Sequence, residues 1–160
     1  MRIGVVSDTH GHVLNTYQAV RMLESLDVKL VIHCGDIGSA DIVRLFDRWP
    51  THFVLGNVDH DQVGLEAVIR KAGKNYHGRF GSLELAEKKI AFLHGDDTAL
   101  LRQTSTSGEW HLVCHGHTHV AKRAHEGQTL VLNPGALYRA TPHSLAYVEL
   151  PSLEATIVSV

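Results

Sequence analysis

The sequence predicts an α/β fold in which two packed β-sheets are flanked by helices. In the first 60 residues, three short apolar runs of strand character alternate with two segments of helical periodicity, which is typical of a β-α-β-α-β unit. After residue 119 the pattern changes to strand-like runs separated by turn residues. A chain of 160 residues with 44% hydrophobic and 20% charged residues resembles an ordinary soluble protein in composition, and we expect residues 1–160 to form a single domain.

The β-α-β-α-β unit can be followed from the N-terminus. Ile3 to Val6 is a continuous apolar run, as expected for a strand covered on both faces. The second helix has Ser39 as its expected N-cap, and Pro50 stops it. The predicted elements are strand 3–6, helix 13–26, strand 28–34, helix 39–49 and strand 51–55.

The rest of the chain is predicted to add short helices and several strands. Gly73 is the expected C-terminal cap of the next helix, and Glu126-Gly127-Gln128 indicates a hairpin. Asn133-Pro134-Gly135 is interpreted as a tight turn. Tyr76, His77 and Arg79 either line the entrance of a binding site or lie in a solvated loop, and we favour the loop. The predicted elements are helix 65–72, strands 83–86 and 89–93, helical turn 97–103, polar loop 104–108, and strands 112–114, 121–125, 129–132, 144–150 and 154–160.

Side chains with metal-binding atoms follow the predicted strands where the strands end. Asp8 and His10 are two residues apart, so an extended chain turns both to the same side. A turn at Gly116 lets two histidines after the strand 112–114 reach one point. Ligands of open α/β sheets bind outside the carboxyl ends of the strands, so we expect one cluster there. Its members are Asp8, His10, Asp36, Asn57, His94, His117 and His119.

Each of these motifs has a simpler explanation when it is taken alone. Asp8 could cap the following helix, and Asn57 after Gly56 could be an ordinary turn former. His33 lies inside an apolar run, and we expect it to be a hydrogen-bonded core residue rather than a ligand. The shared position at strand ends is what favours a metal site.

Three oxygen donors and four imidazoles are too many for one tetrahedral zinc ion. They suit two metal ions about 3.5–4 Å apart that share a bridging carboxylate, as in phosphoryl-transfer enzymes. Asp36 is the expected bridge because it follows the central strand of the unit. We therefore predict a dinuclear centre.

The order and spacing of these motifs resemble the calcineurin-like metallophosphoesterase superfamily. Five blocks carry the resemblance, and the short chain with Asn133-Pro134-Gly135 is similar to its small prokaryotic phosphodiesterase branch. The resemblance implies a four-layer α-β-β-α sandwich of two mixed sheets. It also implies that Asp8, His10 and His119 bind one metal ion, that Asn57, His94 and His117 bind the other, and that Asp36 bridges them. The blocks are Asp8-Thr9-His10, Gly35-Asp36, Gly56-Asn57, His94-Gly95 and Gly116-His117-Thr118-His119.

The activity implied by this resemblance is hydrolysis of small phosphodiesters, by attack of a metal-bridging hydroxide on phosphorus. Asp36, Asn57 and His94 are the expected catalytic residues, because Asn57 and His94 would face the phosphoryl group as well as bind metal. Mn²⁺ is the first expectation, since carboxylate, amide and imidazole donors suit it. Iron, nickel, cobalt and zinc stay open because the donor set alone does not select among them.

One position departs from the superfamily pattern. Many members have a histidine directly after the metal-binding asparagine, whereas this chain has Val58. The small phosphodiesterase branch often lacks that histidine too. His60, His12 and Asp59 are the alternatives for a general acid, and without an assigned acid we expect good leaving groups to react best.

Three other functions compete with a phosphodiesterase. A retromer subunit shares the fold and uses it for protein association, but this chain keeps every ligand of the family set. A histidine-rich metal buffer does not explain why the donors stand singly at separate strand ends. A protein phosphatase is disfavoured by the small size and by Val58.

Partners and location follow from charge and cysteine usage. A formal charge of −2 gives no electrostatic reason for a stable nucleic-acid complex or an anionic membrane surface. No apolar stretch approaches the length of a membrane span, and Cys34 and Cys114 are expected to be buried free thiols in a cytoplasmic protein.

The substrate is expected to be a cyclic nucleotide, another nucleotide diester or a different phosphate ester. Family resemblance also suggests a homo-oligomer, a dimer or a tetramer.

Overall fold

Two mixed β-sheets pack face to face in the computed structural model, which describes residues 1–160. The helices are α1 (Val13–Ser25), α2 (Ala40–Leu45), α3 (Gln62–Lys71) and α4 (Thr98–Thr106). The strands are β1 (Arg2–Val6), β2 (Leu30–His33), β3 (Thr51–Phe53), β4 (Asn75–Tyr76), β5 (Phe80–Leu85), β6 (Lys88–Leu93), β7 (Leu112–Cys114), β8 (Lys122–Glu126), β9 (Thr129–Asn133), β10 (Ser144–Glu149) and β11 (Glu154–Ser159).

The first sheet has the strand order β11-β10-β1-β2-β3-β4. Strands β1 to β4 are parallel, with Val5 opposite Ile32, while β10 pairs antiparallel with β1. The second sheet has the order β5-β6-β7-β9-β8, in which β6, β7 and β9 are parallel. The carboxyl ends of the parallel strands therefore lie along one edge of each sheet.

The core between the sheets is built from alternate residues of facing strands. Ile3 and Val5 of β1 belong to it, together with Ile90 and Phe92 of β6. A second core lies on the other face of the first sheet, where α1, α2 and α3 pack, and α4 covers part of the second sheet. This arrangement confirms the predicted α-β-β-α sandwich.

Several predicted bounds differ from the observed ones, including the starts of α3 and β5, and three differences have a clear physical reason. The second helix ends at Leu45 rather than Trp49, because tighter turns follow it and the Trp49 indole donates to the carbonyl of Val28. The predicted polar loop 104–108 is wrong at its start, since α4 continues to Thr106. There the hydroxyls of Thr104 and Thr106 donate to carbonyls one turn earlier, which keeps polar side chains compatible with the helix.

The third difference is strand β4, which was predicted as loop. Asn75 and Tyr76 pair in parallel with β3, and the next residue, His77, donates its backbone N–H to Phe53. A strand of two residues carries no periodicity that a sequence pattern can detect. These two residues form a strand only because they pair with β3.

The two cysteines are buried and unpaired, as predicted. Burial raises the pKa of both thiols, so they are unreactive core residues. No helix has the length and apolar character needed to cross a bilayer.

Candidate metal centre

All seven strand-end residues come together where the carboxyl ends of the two sheets meet. Asp8 and His10 follow β1, Asp36 follows β2, and Asn57 follows β3. From the second sheet, His94 follows β6, and the loop after β7 carries His117 and His119. Asp8, Asp36 and His94 form a buried floor, whereas Asn57 and His117 are exposed at the open side.

One group of donor atoms lies at the end of β1. The Nε2 atoms of His10 and His119 are 3.4 Å apart. Asp8 Oδ1 lies 3.2 Å from Nε2 of His119 and 3.8 Å from Nε2 of His10. These three side chains could hold one metal ion.

A second group faces it from the ends of β3, β6 and β7. Asn57 Oδ1 lies 3.0 Å from His94 Nε2 and 3.2 Å from His117 Nδ1. His94 also stands at the edge of the first group, because its Nε2 is 4.0 Å from Asp8 Oδ1. The two groups of donors are therefore contiguous.

Asp36 lies between the two groups. Its Oδ2 atom is 3.4 Å from His10 Nε2 and 3.2 Å from His94 Nε2, one histidine from each group. Its other oxygen accepts a hydrogen bond from the backbone N–H of Val58. Asp8 is also close to both groups, since Asp8, Asp36 and His94 form a further set that could hold a metal ion.

Hydrogen bonds outside the cluster orient its imidazoles. His94 Nδ1 donates to the carbonyl of Cys34 at 2.8 Å, which turns its Nε2 towards Asp36 and Asn57. His119 Nδ1 donates to the carbonyl of Arg139 at 3.3 Å, which turns its Nε2 towards Asp8. Such contacts fix the ring orientation and tautomer of metal-binding histidines.

The backbone is strained at five of the seven residues. Each has φ in the left-handed region, from 46° to 69°, where a side chain other than glycine is uncommon. Strain of this kind persists where the surrounding structure enforces a functional geometry. The five are Asp8, His10, Asp36, His117 and His119.

A divalent cation fits this donor set. Asp8 is fully buried, and its Oδ1 atom has no hydrogen-bond partner. A buried carboxylate oxygen without a donor is unfavourable, because it has lost its contacts with water. A cation held by the surrounding histidines would supply the missing partner.

Asp36 and His94 stabilise each other's charged form in the absence of metal. Burial alone would raise the pKa of Asp36, but the hydrogen bond and charge of His94 hold that pKa below its ordinary value. Burial likewise opposes protonation of His94, yet Asp36 outweighs it and the pKa of His94 is raised. A proton on His94 would compete with a metal ion for this side chain, so metal binding here should weaken as the pH falls.

Asn133 belongs to the site, although its sequence context indicates only a tight turn. It is buried, and its Nδ2 donates to the carbonyl of Gly116 at 2.9 Å and to the hydroxyl of Thr118 at 3.0 Å. Its Oδ1 accepts from the backbone of Gly135. Asn133 thus holds the segment that carries His117 and His119.

His33 and Asp59 are also structural. The prediction for His33 is confirmed, because its ring lies in the core with Nε2 3.0 Å from the hydroxyl of Thr9. The carboxylate of Asp59 accepts three backbone N–H groups, from Ile37, Gly38 and Gly56. These contacts occupy both oxygens, so Asp59 is a poor candidate for a general acid.

Of the other residues singled out from the sequence, one lies at the edge of the site and two form contacts that belong to the fold. His12 stacks on Tyr138, whose ring also lies 5.4 Å from that of His10. His77 hydrogen-bonds the ring of His52 at 2.9 Å, so it is a packing residue rather than a solvated one. Arg79 forms an ion pair with Asp96.

Comparison with known proteins identifies the family. A family model described as the calcineurin-like phosphoesterase superfamily domain matches residues 1–152. A phosphodiesterase of Methanocaldococcus jannaschii is 31% identical over 138 residues, which cover 84% of this chain and 83% of the relative. The predicted resemblance to small prokaryotic phosphodiesterases is confirmed.

Solved structures share the architecture. That of an archaeal phosphodiesterase has a TM-score of 0.92 at 27% identity, and the match covers 100% of both chains. Vacuolar protein sorting 29 from Cryptosporidium parvum has a TM-score of 0.67 at 16% identity, covering 99% of this chain and 96% of the other. The second likeness concerns the fold alone.

The family match, the shared fold and the cluster of carboxylate, amide and imidazole donors agree with one another. Members of this family use divalent metal ions, for which the cluster provides ligands. The chain belongs to the calcineurin-like phosphoesterase superfamily and is a metal-dependent phosphoesterase.

Proposed function

We propose that this protein hydrolyses small phosphodiesters at two divalent metal ions held by the seven strand-end residues. Asp8, His10 and His119 would bind one ion, Asn57, His94 and His117 the other, and Asp36 both. The observation that carries the proposal is the position of Asp36 Oδ2, within 3.4 Å of a histidine nitrogen from each group. A carboxylate placed in this way is suited to bridge two cations.

Two bound cations would neutralise the phosphate oxygens and supply a water nucleophile at neutral pH. The residues of the chain prepare the site for this chemistry. Asp8, Asp36 and His94 exclude water from the floor, because they are almost fully buried. Asn57 and His117 stand on the open side, where the phosphoryl group of a substrate would enter.

A diester is favoured over a monoester by two observations. The M. jannaschii relative, 31% identical to this chain, is named as a phosphodiesterase. Val58 replaces the histidine that many superfamily members have after the metal-binding asparagine, and it contributes only its backbone N–H, which Asp36 accepts. We also propose Mn²⁺ as the native metal, because the donor set contains no thiolate.

The fold does not distinguish an enzyme from a protein-binding scaffold, but the set of potential metal ligands does. Vacuolar protein sorting 29 shares the architecture at 16% identity. A protein that only associated with partners would have no need for a buried carboxylate oxygen without a hydrogen-bond donor, as at Asp8. We therefore favour the enzyme.

The test is hydrolysis of an activated aryl phosphodiester by metal-stripped protein during titration with Mn²⁺. We expect activity to depend on Mn²⁺ and to fall about a thousandfold in Asp36→Asn, because that variant loses charge stabilisation worth several kcal/mol. Asp41→Asn is the matched control, since Asp41 is an exposed carboxylate on α2 that pairs with Arg44. It should behave like the wild type.

Two results would contradict the proposal. Metal binding without hydrolysis under any divalent ion would favour the scaffold. Full activity of Asp36→Asn would show that Asp36 is not part of the metal centre.

The proposal extends to the domain organisation, the substrate class, the location and the oligomeric state of the protein. We propose that residues 1–160 act as one catalytic domain on a small diester, with a nucleotide as the first class to try. A cytoplasmic location and a homo-oligomeric state are part of this proposal.

A further inference from the structure

The loop between β9 and β10 lies against the proposed metal ligands. The ring of Tyr138 is 5.4 Å from that of His10 and 5.6 Å from that of His12, measured between ring centroids. The carbonyl of Arg139 accepts from His119 Nδ1 at 3.3 Å. This loop therefore forms one wall of the site.

The guanidinium of Arg139 is held against an aromatic ring, but no carboxylate neutralises its charge. It lies over the ring of Tyr138, with 5.2 Å between its central carbon and the ring centroid. Its side chain forms no hydrogen bond and no ion pair, whereas Arg79, which follows β4, is paired with Asp96. Arg139 thus offers a full set of N–H donors beside a site that acts on phosphate esters.

The backbone of Arg139 shares the strain of the metal-binding residues. Its φ is 51°, within the range of the five strained residues of the centre. The left-handed conformation of Arg139 directs its carbonyl to His119, and its side chain folds back over Tyr138. The position of the guanidinium therefore depends on the geometry of the metal centre.

We propose that Arg139 binds a second phosphate group of the substrate, one group away from the phosphate that is cleaved. This inference rests on the proposed function, and it narrows the substrate class to phosphodiesters that carry a further phosphate. A guanidinium matches the oxygens of a phosphate with two parallel hydrogen bonds.

The position of the guanidinium favours the second phosphate over the first. The guanidinium and the ring of His10 both lie against Tyr138, and the guanidinium forms no hydrogen bond or ion pair with any of the seven proposed ligands. The proposed metal ions already neutralise the phosphate that is cleaved. Stacking on Tyr138 also limits the freedom that Arg139 would lose on binding.

The experiment compares two substrates with the same leaving group. They are thymidine 5′-(4-nitrophenyl phosphate) with and without a 3′-phosphate, assayed with the Mn²⁺-loaded protein. We expect kcat/KM to be about tenfold higher for the 3′-phosphorylated ester, as for one charge-assisted contact. In Arg139→Gln this preference should vanish, so that kcat/KM becomes equal for the two esters.

Two further variants test the mechanism of binding. Arg102→Gln removes another exposed arginine without a carboxylate partner, on α4, and should keep the tenfold preference. Tyr138→Leu should reduce the preference, and Tyr138→Phe should keep it, because only the ring face supports the guanidinium.

Calorimetry separates this inference from the proposed function. Thymidine 3′,5′-bisphosphate should bind the wild type about tenfold more tightly than thymidine 5′-monophosphate, and Arg139→Gln should bind both equally. Equal binding by the wild type would overturn the role of Arg139, as would an equal loss on both esters in Arg139→Gln. Absence of hydrolysis with a preserved calorimetric difference would instead contradict only the proposed function.

Discussion

Asn133 is a residue that positions two proposed ligands without being one. Its side-chain amide reaches the carbonyl of Gly116 and the hydroxyl of Thr118, which flank His117. The side chain of Asn133 is itself buried, so a lost partner would leave its amide unsatisfied. The orientation of the loop that carries His117 and His119 therefore depends on this amide.

Replacing Asn133 by Ala should weaken Mn²⁺ binding about 10- to 100-fold, the usual effect of removing a contact that orients metal ligands. The measurement is calorimetric titration of the metal-stripped protein with Mn²⁺. Thr118→Val is the graded control, because it removes only one of the two acceptors and should lose less affinity. Unchanged Mn²⁺ affinity in Asn133→Ala, with the protein still folded, would show that the loop is held by other contacts.

At the scale of elements, the strand-to-loop junctions bring the carboxyl ends of both sheets into close contact. Gly56 follows β3, and a Cβ at this position would overlap Asp36 Oδ1. A Cβ at Gly116, after β7, would collide with the Ser7 hydroxyl and lie 2.6 Å from Asp8 Oδ2. Glycine at these two positions lets neighbouring loops approach each other closely enough to share a site.

Gly56→Ala should therefore displace Asp36. We expect a loss of stability of about 1–3 kcal/mol from overpacking, together with weaker Mn²⁺ binding. Urea unfolding of the metal-free protein and calorimetric titration measure the two effects.

Gly127→Ala in the β8–β9 hairpin is the control, since its Cβ would meet no atom within 4 Å. Its φ of 60° makes alanine unfavourable by about 1 kcal/mol, without any contact with the site. If both variants lost stability equally and kept full Mn²⁺ affinity, close packing at Gly56 would have no role in the site.

At the scale of the whole molecule, folding buries histidines that are solvated in the unfolded chain. Burial lowers the pKa of His33 to about 3 and that of His52 to about 4, and it also lowers the pKa values of His77 and His115. His94 is the exception in the metal-free protein, because Asp36 raises its pKa. Packing of the two sheets therefore makes stability depend on pH.

We predict that the metal-free protein loses stability as the pH falls from 7 to 5. In this range the unfolded chain binds protons at its histidines, with ordinary pKa values near 6.5, while the buried neutral histidines do not. Acid therefore favours the unfolded state, by about 2 kcal/mol at pH 5 for His33 alone. His94 opposes this, since a raised pKa gives stability that is present at low pH and lost as the pH rises.

Urea unfolding in the presence of EDTA measures this dependence. His52→Gln removes one titrating group, so its free energy of unfolding should change less between pH 7 and pH 5 than that of the wild type. Stability that stays constant or increases towards pH 5 in the wild type would contradict the prediction.

The sequence by itself determined the strand-end motifs, the family and the four-layer fold. These follow from local features: apolar runs mark the strands, and Asp36 and Asn57 each stand after a glycine where a strand ends. Parallel strands align their carboxyl ends, so local position was enough to predict that the seven donors meet.

Only the tertiary structure decided the contacts between distant segments. The pairing of β4 with β3, the bonds from Asn133 to the histidine loop, and the position of Arg139 beside His119 all join elements that no periodic pattern relates. The orphaned oxygen of Asp8 likewise follows from burial between two sheets. The physical reason is that periodicity encodes which face of an element is buried, whereas the partner across that face is chosen by packing of the whole chain.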